Sequence, residues 1–301
     1  MDLFVCVNRP GNRTKRRRTV AKVGAIQRVN KEETMNWFKQ HYDGILTNKC
    51  NKMSAPPYYS KLEAPHYQQS PQFCCITLNE SDKIRLIGGH PELVSHLRAG
   101  INRSWPGKIS AEQNYYGAHE FKMHGSPWLA YGSEHVPARR LALEVVRVMV
   151  KQGWNLVQSV DVSRKEMDKD SMFFETVDPN SVTGLDLQNL DMFCISFGSS
   201  NKVKVIDGSQ DVVEAVRQAI KAQWINGIRR DEPRQAAHEF KLLGCPWYPN
   251  GSETVLSRMM LAQILSNLRV LGYKLYTSVD ISGGSGDTES WIFRHVGNAW
   301  S

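Results

Sequence analysis

The alternation of hydrophobic and polar residues runs through the same succession of short elements twice. Residues 73–78 and 83–87 read as two strands around the polar turn Asn79-Glu80-Ser81-Asp82. Residues 192–197 and 202–206 repeat them around Gly198-Ser199-Ser200-Asn201. A helix is expected over about 91–105 and again over 211–224. Ala118-His119-Glu120-Phe121-Lys122 and Ala237-His238-Glu239-Phe240-Lys241 then predict one short strand in each half. These strands are closed by Gly125-Ser126-Pro127-Trp128 and Gly244-Cys245-Pro246-Trp247.

A longer helix follows each of these turns, opening at Ser133-Glu134 and Ser252-Glu253 with serine as the expected N-cap. Its apolar stripe keeps step between the halves: Ala142, Val145, Val146 and Met149 against Leu261, Ile264, Leu265 and Leu268. Gly153 and Gly272 are the expected stops. Two strands end each half, 154–163 and 171–174 in one and 273–282 and 290–293 in the other.

A shift of 119 residues lays 73–175 on 192–294 without an insertion, with roughly a third of the positions identical. The expected fold class is therefore α+β. It consists of two tandem copies of a ββαβαββ sandwich, each a mostly antiparallel sheet with two helices on one face. The copies span 73–176 and 191–296. Residues 1–72 form a basic, largely flexible leader with a short amphipathic helix after Asn30 and a linker rich in Pro, Tyr, Gln and Ser. Two such copies in one chain are expected to make a pseudo-two-fold unit or a bivalent binder.

Charge separates the leader from the repeats. The chain of 301 residues carries a formal net charge of +8, and residues 1–52 alone hold twelve Lys and Arg against four Asp and Glu. The repeats are thus neutral, which argues against a basic nucleic-acid groove across them and leaves the leader as the segment for such contacts. The run Arg13-Thr14-Lys15-Arg16-Arg17-Arg18 suits a nuclear localisation signal or an anionic-surface contact. No stretch is apolar and long enough to span a membrane, and the start lacks the layout of a secretory signal. The six cysteines (Cys6, Cys50, Cys74, Cys75, Cys194, Cys245) have neither metal-ligand nor disulfide-framework spacing. An intracellular protein, cytoplasmic, nuclear or both, is expected.

Chemistry-bearing residues kept by both copies form the candidate polar site: His119, Glu120, Lys122, Ser159 and Asp161, with His238, Glu239, Lys241, Ser278 and Asp280. Strand alternation places His119 on the Phe121 side and Glu120 and Lys122 on the other. Likewise Leu156, Val160 and Val162 share one face while Ser159 and Asp161 share the opposite one. One reading is a polar binding patch on the sheet face away from the helices. The other is a pair of structural ion pairs, Lys122 with Asp161 and Glu120 with Arg139.

A hydrolytic triad lacks its nucleophile elbow, and His119-Glu120 followed by His124 is not the zinc-protease spacing. No catalytic residue, metal or cofactor is assigned. Pro127-Trp128 and Pro246-Trp247 are expected to plug the core edge. In the linker, Pro56-Pro57-Tyr58-Tyr59 matches the Pro-Pro-x-Tyr ligand of WW domains, with Pro56, Pro57 and Tyr59 as the binding residues. The best reading is a non-catalytic interaction or adaptor protein that recruits a WW-domain partner such as a ubiquitin ligase. The alternatives are an enzyme or ligand sensor using the retained polar face, and nucleic-acid or anionic-surface binding through the leader.

Overall fold

The structure is a computed structural model and describes residues 72–129, 134–162, 169–177, 190–281 and 289–297. Residues 68–301 form one compact unit. The leader motifs, the basic run 13–18 and Pro56-Pro57-Tyr58-Tyr59 among them, lie outside the described residues.

The first copy contains β1 (Phe73–Asn79), β2 (Lys83–Gly88), α1 (Glu92–Ser104), β3 (Ile109–Tyr115), β4 (Ala118–Met123), α2 (His135–Lys151), β5 (Trp154–Val160) and β6 (Ser171–Thr176). The second contains β7 (Met192–Gly198), β8 (Lys202–Ile206), α3 (Gln210–Gln223), β9 (Ile228–Arg234), β10 (Ala237–Leu242), α4 (Glu253–Val270), β11 (Tyr273–Val279) and β12 (Ser290–His295). Each copy is an antiparallel six-stranded sheet in the order β3-β4-β2-β1-β6-β5, or its equivalent β9-β10-β8-β7-β12-β11. The α+β class and the tandem repeat thus stand.

Each copy also holds one more strand than the periodicity predicts, β3 in one and β9 in the other. Both are sheet edges with no buried residue, so neither shows the apolar alternation that marks a half-buried strand. The long helices end as expected, with Gly153 and Gly272 at φ of +77° and +83°. Ser252 does not cap α4 through its side chain, whereas Ser209 does cap α3 by accepting from the Val212 amide.

The two copies stack head to tail, in place of the expected pseudo-two-fold. The inner face of the first sheet (Ile76, Leu78, Ile84, Phe121, Met172, Phe174) packs on α1 and α2. The other side of α2 packs on β7 and β8, so one hydrophobic core continues from the first sheet through α2 to Met192, Cys194, Ile206 and Ile292. The opposite face of the second sheet (Phe193, Ile195, Val203, Val205, Phe293) packs on α3 and α4 in a core of its own. The layers therefore run sheet, helices, sheet, helices, and α2 is buried on both sides.

Polar contacts fix this stacking. Arg140 on α2 grips Asp207 with both Nε and Nη2, at 2.6–3.0 Å, and also donates to the Ala236 carbonyl at 3.0 Å. About two turns further on, Arg147 donates to the Met192 carbonyl at 2.9 Å. The expected Pro-Trp plugs are present too. Trp128 is fully buried and donates to the Lys83 carbonyl at 2.8 Å, and Trp247 makes the equivalent bond to Lys202 at 3.0 Å.

Candidate binding cleft at the seam

The edge strands β5 and β11 lie against each other where the two sheets meet. Each carries a β-bulge at the same register, Val157 in one and Tyr276 in the other. A bulge turns the following residues over, so the simple alternation expected for residues 156–163 does not hold. Ser159 pairs with Met172 and Ser278 with Trp291, both on the helix-bearing side of their sheets, while Val160 pairs with Ser171 on the other. The bulged Tyr276 reaches the neighbouring repeat. Its hydroxyl accepts from the Leu156 amide at 2.8 Å and donates to Asn155 Oδ1 at 3.0 Å.

Beyond these bulges the strand ends open a cleft of about 680 Å³ lined from both copies. Ser159, Asp161 and Asp170 come from the first copy and Ser278, Asp280 and Glu289 from the second. Phe197, Trp247 and Trp291 add aromatic surface, and among the described residues Arg258 adds a cation. Asp170 ties the two copies together. One oxygen of its carboxylate accepts from Ser159 Oγ and from the Asp280 amide, both at 3.0 Å. Burial pushes the Asp170 carboxyl above its ordinary value, and Asp280 and Glu289 add to this. The Asp280 amide and the Ser159 hydroxyl act the other way. Among the described residues no group of three His, Cys, Asp or Glu side chains is arranged to hold a metal ion.

The other retained residues lie elsewhere. His119 sits on the helix side as expected, where its Nε2 meets Glu112 at 2.8 Å and Arg98 clamps the same carboxylate. The second copy repeats this with His238, Asp231 and Arg217. The arginine hydrogen bond is the main reason that both acids are held below the ordinary carboxylate range. Glu120 lies on the helix-free face and is buried, at 1% exposure. Burial alone would raise its carboxyl, but hydrogen bonds from Arg85 and Gln113 outweigh that and lower it. Glu239 is buried in the same place, between Lys202, Lys204 and Arg230.

The two ion pairs expected from the sequence are therefore replaced. Lys122 approaches Asp82 at 4.0 Å. Asp161 follows β5, four strands away from β4 in the sheet. Glu120 faces away from the helix layer that carries Arg139 and pairs with Arg85 at 2.6 Å. Spacing along the chain carries no information on strand order, which decides both cases. Of the ten candidate residues, the fold gathers Ser159, Asp161, Ser278 and Asp280. Asp170, Glu289 and Trp291 escaped the sequence reading because they are not identical between copies. The acid at equivalent positions 170 and 289 was the signal that could have found them.

The described cysteines Cys74, Cys75, Cys194 and Cys245 are free thiols. Burial pushes Cys74 up to about 12, with a further push from Cys75, and raises Cys75 to about 11, well away from the reactive thiolate form. Among the described residues no helix is long and apolar enough to cross a membrane.

One domain-family profile matches this chain twice, at residues 72–175 and 191–294. The chain is also similar to the large ribosomal subunit protein uL5 of Chlamydomonas reinhardtii, 46% identical over 51 residues. That match is 17% of this chain and 30% of the relative. The uL5 of Dictyostelium discoideum is 49% identical over 47 residues, 15% of this chain and 23% of the relative. The uL5 of Tetrahymena thermophila is 47% identical over 45 residues, 15% and 26%. The chain thus spans less than a third of the length of these relatives. No solved structure matches it.

Proposed function

The chain belongs to the domain family whose profile matches both of its repeats, and on that premise we propose that it is a non-catalytic interaction protein whose seam cleft receives a basic side chain of a protein partner. The observation that carries this reading is the meeting of Ser159 and Asp161 with Ser278 and Asp280 in one cleft. Among the described residues, the carboxylates of Asp161, Asp170, Asp280 and Glu289 line it together with Arg258, beside Trp247, Trp291 and Phe197. Carboxylates supply charge and hydrogen-bond acceptors, and aromatic faces attract a cation held over them. The retained histidines are engaged with Glu112 and Asp231 on other strands, so they stand apart from the cleft serines. In this reading the leader adds a linear signal, with Pro56, Pro57 and Tyr59 docking a WW-domain protein such as a ubiquitin ligase.

The test is a titration of the full chain, read by tryptophan fluorescence, with short Lys- and Arg-bearing peptides and acidic controls. A parallel arm measures WW-domain binding. The double variant Asp161→Asn, Asp280→Asn should weaken basic-peptide binding more than about tenfold while keeping the parent's circular dichroism spectrum. Tyr59→Ala should abolish only the WW arm. Equal peptide binding by variant and parent overturns the cleft, and equal WW binding by Tyr59→Ala overturns the linear motif.

The partial similarity to ribosomal proteins, with the positive surplus in residues 1–52, favours a second reading: nucleic-acid binding through the leader. That reading predicts affinity for RNA that falls steeply with salt and ignores the cleft variants.

A further inference from the structure

We infer that the stacking seen inside the chain is repeated between chains, with the outer face of α4 of one copy seated on the helix-free face of the first sheet of a second copy. Beside the β5–β11 edge contact, the internal interface joins two different surfaces, a helix layer and the bare side of a sheet. Such a contact consumes one surface of each kind and leaves one of each kind over. The surfaces left over are the outer side of α4 and the bare side of β1, β2 and β6.

Both carry exposed apolar side chains at the positions that the internal interface buries. Phe73 and Ile87 are 58% and 46% exposed, and their equivalents Met192 and Ile206 are 2% and 0% exposed beneath α2. On the helix side, Val255 and Met259 are 59% and 46% exposed, and they stand where α2 has the buried Val136 and the interface residue Arg140. Isolated exposed apolar residues are ordinary, but here they fall on two surfaces already matched in shape by their repeat equivalents.

The charges have changed in step. The ion pair Arg140–Asp207 is absent from both open surfaces, because Met259 replaces the arginine and Gly88, beside Ile87, replaces the aspartate. An unmatched change would have left a lone charge facing an apolar surface; the paired change leaves apolar against apolar. Arg147 bonds to the Met192 carbonyl, and Met192 pairs with Arg294, so the end of α2 lies over Arg294. The equivalent of Arg294 on the bare face is Glu175, and the last turn of α4 carries Arg269 where α2 has Val150, with Arg269 Nη1 donating to the Gly297 carbonyl at 3.0 Å. Lys83 and Arg85 on the bare face are already paired with Glu80 and Glu120.

The test is the mass of the full chain in solution, by sedimentation or light scattering across micromolar to near-millimolar concentration. The parent should associate progressively without stopping at a dimer, since this contact is not self-complementary. Met259→Glu and Ile87→Glu should each be monomeric, with dissociation constants raised more than about tenfold. Mixing the two variants should restore one dimer and nothing larger, because each retains the surface that the other lacks. A parent that stays monomeric throughout overturns the inference. So does association that survives either variant, or a mixture that stays monomeric. Both sites are half-exposed, so the folds should persist. Phe73→Glu and Val255→Glu give the same test should either first variant lose its circular dichroism signal.

Discussion

Helices α2 and α4 hold the same place in their repeats. Yet α2 buries residues around nearly its whole circumference, whereas α4 buries one stripe of Ser257, Met260, Ile264 and Leu268. The stripe facing each helix's own sheet persists between copies, with Ile264 and Leu268 standing for Val145 and Met149. On the opposite side the two diverge: Leu143 becomes Ala262, Arg140 becomes Met259 and Arg147 becomes Ser266. The lesson is that a helix inherits one apolar face from its repeat and acquires the other from its position in the stack.

That difference is sharpest at Leu143 and Ala262. Leu143→Ala should cost about 2–5 kcal/mol in urea unfolding, because it opens a cavity between two sheets. At the equivalent surface position, Ala262→Ser should stay within about 0.5 kcal/mol. Equal costs would mean that α2 is not held between the layers.

The next contrast is at His135, in the first turn of α2, where α4 has Thr254. Burial, then the charges of Arg139, Lys204 and Lys202, push its imidazole down to about 2. A histidine whose folded value lies below its unfolded one takes up its proton on unfolding. Its contribution is therefore whole above about pH 6.5 and is lost as the pH falls below that, towards the folded value. Stability measured by urea unfolding between pH 6.5 and 5 should fall at up to one proton's slope in the parent. His135→Gln should remove that slope, and an unchanged slope would place the histidine in water.

The smallest effect is expected from Arg140 and Asp207, a bidentate but half-exposed pair. A double-mutant cycle to alanine should show coupling of about 1 kcal/mol or less, reduced by salt. Zero coupling would leave the stacking to apolar contacts alone.

The fold was legible wherever a residue's neighbours along the chain report its environment. Ile76, Leu78 and Ile84 announced half-buried strands, and Gly153 announced a helix end. The edge strands β3 and β9 were not legible, since a strand exposed on both faces has no alternation to read. At the site, Ser159, Asp161, Ser278 and Asp280 stand out as retained polar residues and the fold brings them to one cleft, but their orientation is not legible because the bulges at Val157 and Tyr276 leave no mark on the hydrophobic pattern. Glu120 and Glu239 were noted as retained, and their neighbours on β2, β8 and β9 became known only with the strand order.

By itself the sequence determined the repeat, the element types and the stripe that each helix turns to its own sheet. These follow from periods of two and 3.6 residues, which are local properties of strand and helix. The tertiary structure alone decided that α2 lies between two sheets, that Tyr276 reaches across to β5, and that serines and aspartates of two copies share one cleft. Each of those depends on which distant surfaces exclude water from each other. That choice is made by packing among residues far apart in the chain, and no short window of sequence contains it.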